Sequence, residues 1–373
     1  MEEKGPGIVI AGGGTGGHLF PALAVADELR RRRPDARIEF VGGRRGLESR
    51  LVPAAGYPLR VLPLSGLKGA SLPARAMGVL AAGAGVLRCA VWMLRSRPHL
   101  VIGVGGYASG PAVLAGKVLG VKTMVLEQNH FPGATNRWLA PHVDAVCVPS
   151  DAARRRLGGL GIVTGNPVRP EFARIGPAVP GARLTLLVFG GSRGARSINR
   201  AMVEALPELA KMTIPLLIVH QTGQDEAEVV AAAYAGHPSL QAEVTAFIED
   251  MPRQLAGADI VVCRAGATTL SELATAGRPA LLVPYPHAAD DHQRLNAEAV
   301  QEAGAALVVR DQDLDGRGLA SIVAELAADP ARRLAMGEAA RKLAVPDAAA
   351  RIADVAERLI VDHREGDGGA HVP

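Results

Sequence analysis

The sequence predicts an α/β protein made of two Rossmann-like domains, and three observations carry that reading. At 373 residues the chain is too long for one ordinary core, so two domains are expected. Short apolar runs that end in glycine loops recur, and the design at Gly7–Ala11 starts again at Leu184–Phe189. Hydrophobic residues make up 48% but aromatic residues only 3%, so Ala, Gly, Leu and Val must fill close-packed helices and strands. The same scarcity argues against nucleic acid as a partner, since base stacking needs aromatic faces.

In chain order, Gly7–Ala11 is a strand, Gly12-Gly13-Gly14-Thr15-Gly16-Gly17-His18 a loop, and about Phe20–Arg32 a helix with Leu23, Ala26 and Leu29 on one face. Arg37–Val41 is the second strand. Gly12, Gly14 and Gly17 fit G-x-G-x-x-G, but a dinucleotide site also wants an acid where this chain has Gly42-Gly43-Arg44. A dehydrogenase is therefore disfavoured. Leu100–Val104, Lys122–Leu126 and Ala145–Val148 continue the series, the middle one delivering Glu127-Gln128-Asn129-His130 into a loop. In open α/β sheets ligands bind beyond the carboxyl ends of the strands, so these loops can face one crevice.

Gly165–Pro170 has the prolines of a hinge. The second series runs through Leu184–Phe189, Ile214–His220, Val244–Ile248, Ile260–Cys263 and Ala280–Val283. The expected division is 1–166 and 167–347, with a closing helix at about 348–363 packing back on the first domain and a disordered tail at 364–373.

The second domain centres on Asp259–Cys263 and the turn into Arg264-Ala265-Gly266-Ala267-Thr268-Thr269-Leu270-Ser271-Glu272. A strand, a glycine turn and a helix start together make an anion site, because the first amides have no intrahelical acceptor and the dipole adds positive charge. Glu272 would repel a phosphate so near, which suits it to ribose hydroxyls. The alternative is an acid that only complements the dipole.

Other features bound the function. The formal charge is +4, and the basic residues are mostly arginine, clustered at Arg30–Arg33, Arg44-Arg45 and Arg154–Arg156. Such clusters suit phosphates or anionic headgroups, although a solvated helix end is the commoner role. Cys89, Cys147 and Cys263 are scattered, with neither disulfide nor metal spacing. Met1–Lys4 leads straight into a strand without a signal peptide, so the cytoplasm is expected. Met77–Leu94 is apolar but carries Arg88, whose insertion costs at least about 2.5 kcal/mol. It is expected either to lie on a membrane surface or to form a core helix pair. Asp311-Gln312-Asp313 matches a metal-binding D-x-D but is expected to face solvent.

Six motifs in order then carry a family resemblance: Gly13–His18, Glu127-Gln128-Asn129, Gly165–Arg169, Gly190-Gly191-Ser192-Arg193-Gly194-Ala195, Cys263–Glu272, and Asp290-Asp291-His292-Gln293 with Asn296. Over nearly its whole length the chain resembles the MurG family, the peptidoglycan N-acetylglucosaminyltransferases of the GT-B superfamily. The resemblance implies GT-B architecture, two Rossmann-like domains with parallel sheets facing across a deep cleft. It implies transfer of N-acetylglucosamine from UDP-N-acetylglucosamine to the 4-hydroxyl of lipid I, forming lipid II at the cytoplasmic face of the membrane. By position, Glu272 would hold the uridine ribose and the backbone at Ile248 would read uracil. Ser192 and Ala267, Thr268, Thr269, Leu270 and Ser271 would hold the donor phosphates, with Arg169 nearby. Asn129 and Gln293 would take the sugar hydroxyls, and Thr15, Gly16 and Gly17 would line the cleft. Val79, Leu80, Leu87 and Trp92, with Arg75 and Arg88, would meet an anionic lipid surface. Proteins of cell-wall elongation and division are further partners on this reading.

His18 is the candidate base and Glu127 the alternative. No cofactor is required, and a divalent cation would at most stimulate. A UDP-N-acetylglucosamine 2-epimerase shares fold and donor but would change the UDP-sugar alone. A silent nucleotide-sugar scaffold would need no acceptor loop.

Overall fold

The computed structural model describes residues 5–43, 46–62, 72–177, 181–192, 194–288 and 291–368, with the backbone alone for 72–80 and 364–368. The chain splits into two compact units, Met1–Arg169 with Asp347–Pro373, and Pro170–Pro346. The prediction of two parallel-sheet Rossmann-like domains holds.

In the first unit the strands are β1 (Gly7–Ala11), β2 (Arg37–Gly43), β3 (Leu59–Leu62), β4 (Leu100–Gly103), β5 (Lys122–Leu126), β6 (Ala145–Val148) and β7 (Ile162–Val163). Its helices begin with α1 (Gly16–Arg32), α2 (Glu48–Ala54), α3 (Leu72–Ser96), α4 (Ser109–Val118), α5 (Ala134–Leu139) and α6 (Asp151–Arg156). The sheet runs β3-β2-β1-β4-β5-β6-β7, and Ile8 pairs in parallel with Ile38 on one side and Leu100 on the other. Strands covered on both faces must be apolar on both. Accordingly, Ile8 and Ile10 enter one core with Leu29 of α1, while Val9 and Ala11 enter another with Ala112 of α4.

The second unit holds α7 (Pro170–Ala173), β8 (Leu184–Phe189), α8 (Arg196–Leu209), β9 (Leu216–Gln221), α9 (Ala227–Ala235), β10 (Gln241–Thr245), α10 (Met251–Gly257), β11 (Ile260–Cys263), α11 (Ala267–Ala276), β12 (Ala280–Leu282), α12 (His292–Glu302), β13 (Ala306–Val308), α13 (Gly316–Ala328) and α14 (Pro330–Lys342). Its order β10-β9-β8-β11-β12-β13 repeats the first six strands of the other sheet. Arg278 is its largest fully buried side chain, and its guanidinium donates to the carbonyls of Leu255, Ala256 and Ala276.

The last helix, α15 (Ala348–Gly368), belongs to the first unit. Ile352, Val355, Ala356 and Leu359 are buried in the core that α1 shares. Arg32 fastens the pair, reaching Asp354 (2.6 Å) and Glu357 (3.0 Å). The helix continues through 364–368, where a tail was expected. Residues 369–373 lie outside the described residues.

Other departures have local causes. α1 starts at Gly16 rather than Phe20, because buried Leu19 pins a turn that two glycines disguise, its N–H donating to Thr15 O at 3.2 Å. β10 lies three residues before the expected Val244–Ile248, as a polar edge strand with Gln241 and Glu243 exposed. Met77–Leu94 lies within one helix, α3, not a pair.

His220 of β9 is fully buried and neutral. Asn199 Nδ2 donates to Thr222 O (2.9 Å) and Glu226 Oε2 (2.6 Å), so Asn199 Oδ1 accepts from His220 Nε2–H at 3.1 Å. Burial lowers the ring from its usual 6.5 to about 4. The unfolded chain therefore takes this proton at higher pH than the folded one. The stability this adds is complete above about pH 6.5 and is lost as pH falls toward 4, on the order of 3 kcal/mol in all. Urea unfolding followed by circular dichroism should show that slope, and His220→Gln should flatten it. An unchanged slope in the variant would contradict the assignment.

Candidate functional site

In each sheet the strand order reverses between two central strands, β1 and β4 in one, β8 and β11 in the other. Ligands of such folds bind beyond the strand ends at that reversal. Turns carrying Gly12–Gly14, Gly105-Gly106, Gly190-Gly191 and Gly266 follow those four strands.

In the second unit, β11 hands over to α11 through Arg264-Ala265-Gly266, with Gly266 as N-cap. Leu270 is the first residue whose N–H reaches back into the turn, donating to Gly266 O at 3.0 Å. The helix itself supplies no acceptor for the amides of Ala267, Thr268 and Thr269. Ser271 spends its hydroxyl proton on Ala267 O (3.0 Å), so it turns into the helix. Glu272 sits in the second turn and is 7% exposed. Burial, and then the Glu272 charge, raise the neighbouring Cys263 thiol well above its ordinary range.

The turn is clamped by residues whose role the sequence did not reveal. Arg264 donates to the carbonyls of Val283 and Pro284 (both 3.2 Å), to Asp311 Oδ1 (2.5 Å) and to Ser197 Oγ (2.9 Å). Asp311 was expected to face solvent. It is instead half-buried and ion-paired, while Gln312 and Asp313 of its D-x-D are exposed. The pattern had no partner in view, because Arg264 lies 47 residues away.

The loop after β8 closes tightly. Gly194 has φ +74°, and a Cβ there would fall 1.8 Å from Thr222 O, so only glycine fits. Ser192 is half-buried in this turn, and Arg193 lies outside the described residues. Gln221 ties the turn to the Ile248 loop, donating to Gly191 O (2.8 Å) and accepting from Ile248 N–H (2.9 Å). Of the backbone groups expected to read uracil, the Ile248 N–H is thus already engaged. Gln293 Oε1 accepts from Tyr285 N–H at 2.9 Å. Asp290 lies outside the described residues. Asn296 is fully buried, with neither amide atom partnered among the described residues.

In the first unit the loop after β1 holds an anion of its own. Glu48, 1% exposed, accepts from Gly14 N–H and Gly43 N–H, both at 2.8 Å. Nothing in its arginine-rich neighbourhood marked it. Thr15 N-caps α1 without a side-chain bond, Gly16 and Gly17 form the first turn, and His18 follows half-buried. His18 Nδ1 lies 2.9 Å from Gln128 Oε1, and Gly105 lies so close that a Cβ would come within 2.8 Å of the ring.

Glu127 is 4% exposed and fully engaged. Oε1 accepts from Asn129 N–H (2.8 Å) and Nδ2 (3.0 Å), while Oε2 accepts from Gly133 N–H and Asn136 Nδ2 (both 2.9 Å). A base needs a vacant lone pair, so this carboxylate is a brace for the loop. The Asn129 amide group, expected at the sugar, is part of that brace. Arg169 ends the first unit, its guanidinium 4.9 Å over the Phe20 ring.

On α3, Leu87 (67%), Val91 (43%) and Leu94 (61%) form an exposed apolar row. Leu87 and Val91 of this row also line a groove of about 640 Å³ with Trp92, Arg37, Arg60, Arg88 and Arg95, where Glu39 pairs with Arg60. Trp92 departs from expectation, since it packs partly on the core with Arg60 4.6 Å above its ring. The side chains of Arg75, Val79 and Leu80 lie outside those described. Among the described residues no helix is long and apolar enough to cross a membrane, and no group of three His, Cys, Asp or Glu could hold a metal.

The glycosyltransferase family 28 N-terminal domain matches residues 8–148 and the corresponding C-terminal domain residues 185–352. The chain is 43% identical over 95% of its length to a protein of Anaeromyxobacter sp. (strain Fw109-5), covering 93% of it. That relative is named UDP-N-acetylglucosamine–N-acetylmuramyl-(pentapeptide) pyrophosphoryl-undecaprenol N-acetylglucosamine transferase. A protein of the same name in Syntrophotalea carbinolica is 44% identical, with 94% of this chain and 98% of that one covered. The crystal structure of Acinetobacter baumannii MurG superposes with a TM-score of 0.75 at 30% identity, covering 95% of this chain and 99% of that one.

Glu127→Gln separates a brace from a base. It places an NH2 against N–H donors and should cost about 1–3 kcal/mol of stability. Hydrogen exchange at the Asn129 and Gly133 amides should quicken, and unchanged exchange would contradict the bracing role.

Proposed function

The chain belongs to glycosyltransferase family 28 and, within it, to the MurG family, and on that premise we propose that it transfers N-acetylglucosamine from UDP-N-acetylglucosamine to the 4-hydroxyl of lipid I, forming lipid II. The observation that carries the reading is the α11 start, where a glycine turn, first-turn amides that the helix itself gives no acceptor and a buried acid one turn later suit a diphosphate followed by a ribose.

The C1–O bond to the diphosphate breaks, and its electron pair leaves with UDP. The amides of Ala267–Thr269 and the Ser192 turn meet the charge that develops there, so no divalent cation is obligatory. Glu272 holds the ribose hydroxyls. Uracil reads the Ile248 carbonyl and competes with Gln221 for its N–H. Gln293 supports the sugar end from the start of α12. The acceptor's O4 forms the new bond from the face opposite the leaving group, which inverts an α-linked donor to a β product. Its proton passes to His18 Nε2. Thr15, Gly16 and Gly17 present their helix start to the acceptor's own diphosphate.

The membrane face is α3. Leu87, Val91 and Leu94 enter the headgroup boundary, and Arg88 and Arg95 meet anionic lipid. This makes the protein peripheral, on the side of the membrane where UDP-N-acetylglucosamine is available.

His18→Ala should lower turnover of labelled UDP-N-acetylglucosamine with a short-chain lipid I analogue by roughly two to four orders of magnitude. A drop of less than about tenfold rejects the base role. Turnover should persist in EDTA, and a loss restored by Mg²⁺ would contradict the account of the leaving group. In cosedimentation with phosphatidylglycerol vesicles, Leu87→Glu should release the protein, as should raised salt. Undiminished binding of that variant would place the membrane contact elsewhere.

A further inference from the structure

We propose that Gln128 is a positioning residue that fixes the tautomer of His18, holding the proton on Nδ1 and leaving the lone pair on Nε2. The proposal deepens the reading of His18 as base and rests on it.

The orientation of the Gln128 amide follows from its other end. Gln128 is 3% exposed, and its Nε2 lies 3.2 Å from Leu126 O. A carbonyl oxygen can only accept, so the NH2 must be on that side. Flipping the amide would set oxygen against oxygen in a buried place, which costs far more than one good hydrogen bond returns. The atom 2.9 Å from His18 Nδ1 is therefore the oxygen, and Nδ1 must donate to it. A neutral imidazole has one N–H, so Nε2 is bare.

The support runs deeper. Leu126 O also accepts from Asn136 Nδ2 (3.1 Å), and that same nitrogen donates to Glu127 Oε2 (2.9 Å). The Glu127 brace thus fixes the carbonyl that fixes the amide that fixes the ring. Gly105 packs so near the imidazole that a Cβ would stand 2.8 Å from both Cε1 and Nδ1, which restrains the ring from turning. A neutral amide has a further advantage here. It orders the ring without placing another negative charge beside a lipid-linked diphosphate, as a carboxylate would. On transfer, the O4 proton goes to Nε2, the ring becomes imidazolium with Nδ1–H still on Gln128, and the proton returns to water after UDP leaves.

The test is a ¹⁵N spectrum of the full-length protein at a pH where the ring is neutral, with the His18 signals identified by their loss in His18→Asn. Nδ1 should appear as the protonated nitrogen and Nε2 as the bare one, a result that needs no folded Gln128 variant. Gln128→Met removes the acceptor at similar volume. It should shift the ring toward Nε2–H and lower kcat by about three- to tenfold, the worth of one hydrogen bond, while KM for UDP-N-acetylglucosamine stays within about twofold. A wild-type ring protonated on Nε2, or an unchanged kcat in Gln128→Met, overturns the proposal. Turnover that survives His18→Ala would remove the base itself and with it the catalytic use of the lock. An Nε2–H ring combined with a dead His18→Ala would remove the lock alone.

Discussion

Backbone amides at a strand-to-helix turn must be given acceptors, and the two units of this protein meet that requirement in opposite ways. After β1 the protein supplies the anion itself. The Glu48 carboxylate sits on the Gly14 and Gly43 amides in a place too tight for a side chain on the neighbouring glycines. After β11 the helix begins with amides for which it has no acceptor, and the buried Glu272 carboxylate is held a turn further on. One glycine loop is closed on a carboxylate of its own, and the other opens a helix whose first amides find no acceptor within it. The second sheet repeats the order of six strands of the first, so this contrast lies in the turns and not in the sheets.

The rest of each site keeps those turns in shape. Arg264, spread over two carbonyls, a carboxylate and a hydroxyl, joins the ends of β11 and β12 to the start of α8. Gln221 performs the equivalent service between the Gly191 turn and the Ile248 loop. In the first unit Glu127, with both oxygens saturated, sets the loop that carries Gln128 and Asn129. Such fully satisfied polar networks cost little once formed and are expensive to break singly, which suits groups that must hold a geometry.

Much of this could be read in the sequence, and the limits were physical. Strands buried on both faces announce themselves as apolar runs, and β1, β5, β6, β8 and β11 fall where those runs do. Edge elements carry no such signal. β3, β7 and β13 are two to four residues long and went unread, and polar β10 was displaced toward the apolar residues that follow it. Glycine motifs located the turns because positive φ and close approach leave few alternatives, as at Gly194. What they could not reveal was the partner on the other side. The Glu48–Gly14 contact, the Asp311–Arg264 pair and the Gln221 tie join residues far apart in the chain. Only tertiary structure brings them together. Glu127 shows the converse, since a carboxylate in a motif looks like a base until the donors filling it are known.

The central claim is that the donor's diphosphate rests on the amides that open α11. A crystal structure of the protein with UDP-N-acetylglucosamine tests it most directly. The account predicts phosphate oxygens within hydrogen-bond distance of the Ala267–Thr269 amides and ribose hydroxyls on Glu272. Nucleotide seated on the Gly12–Gly17 loop, or a diphosphate turned away from α11, would contradict it.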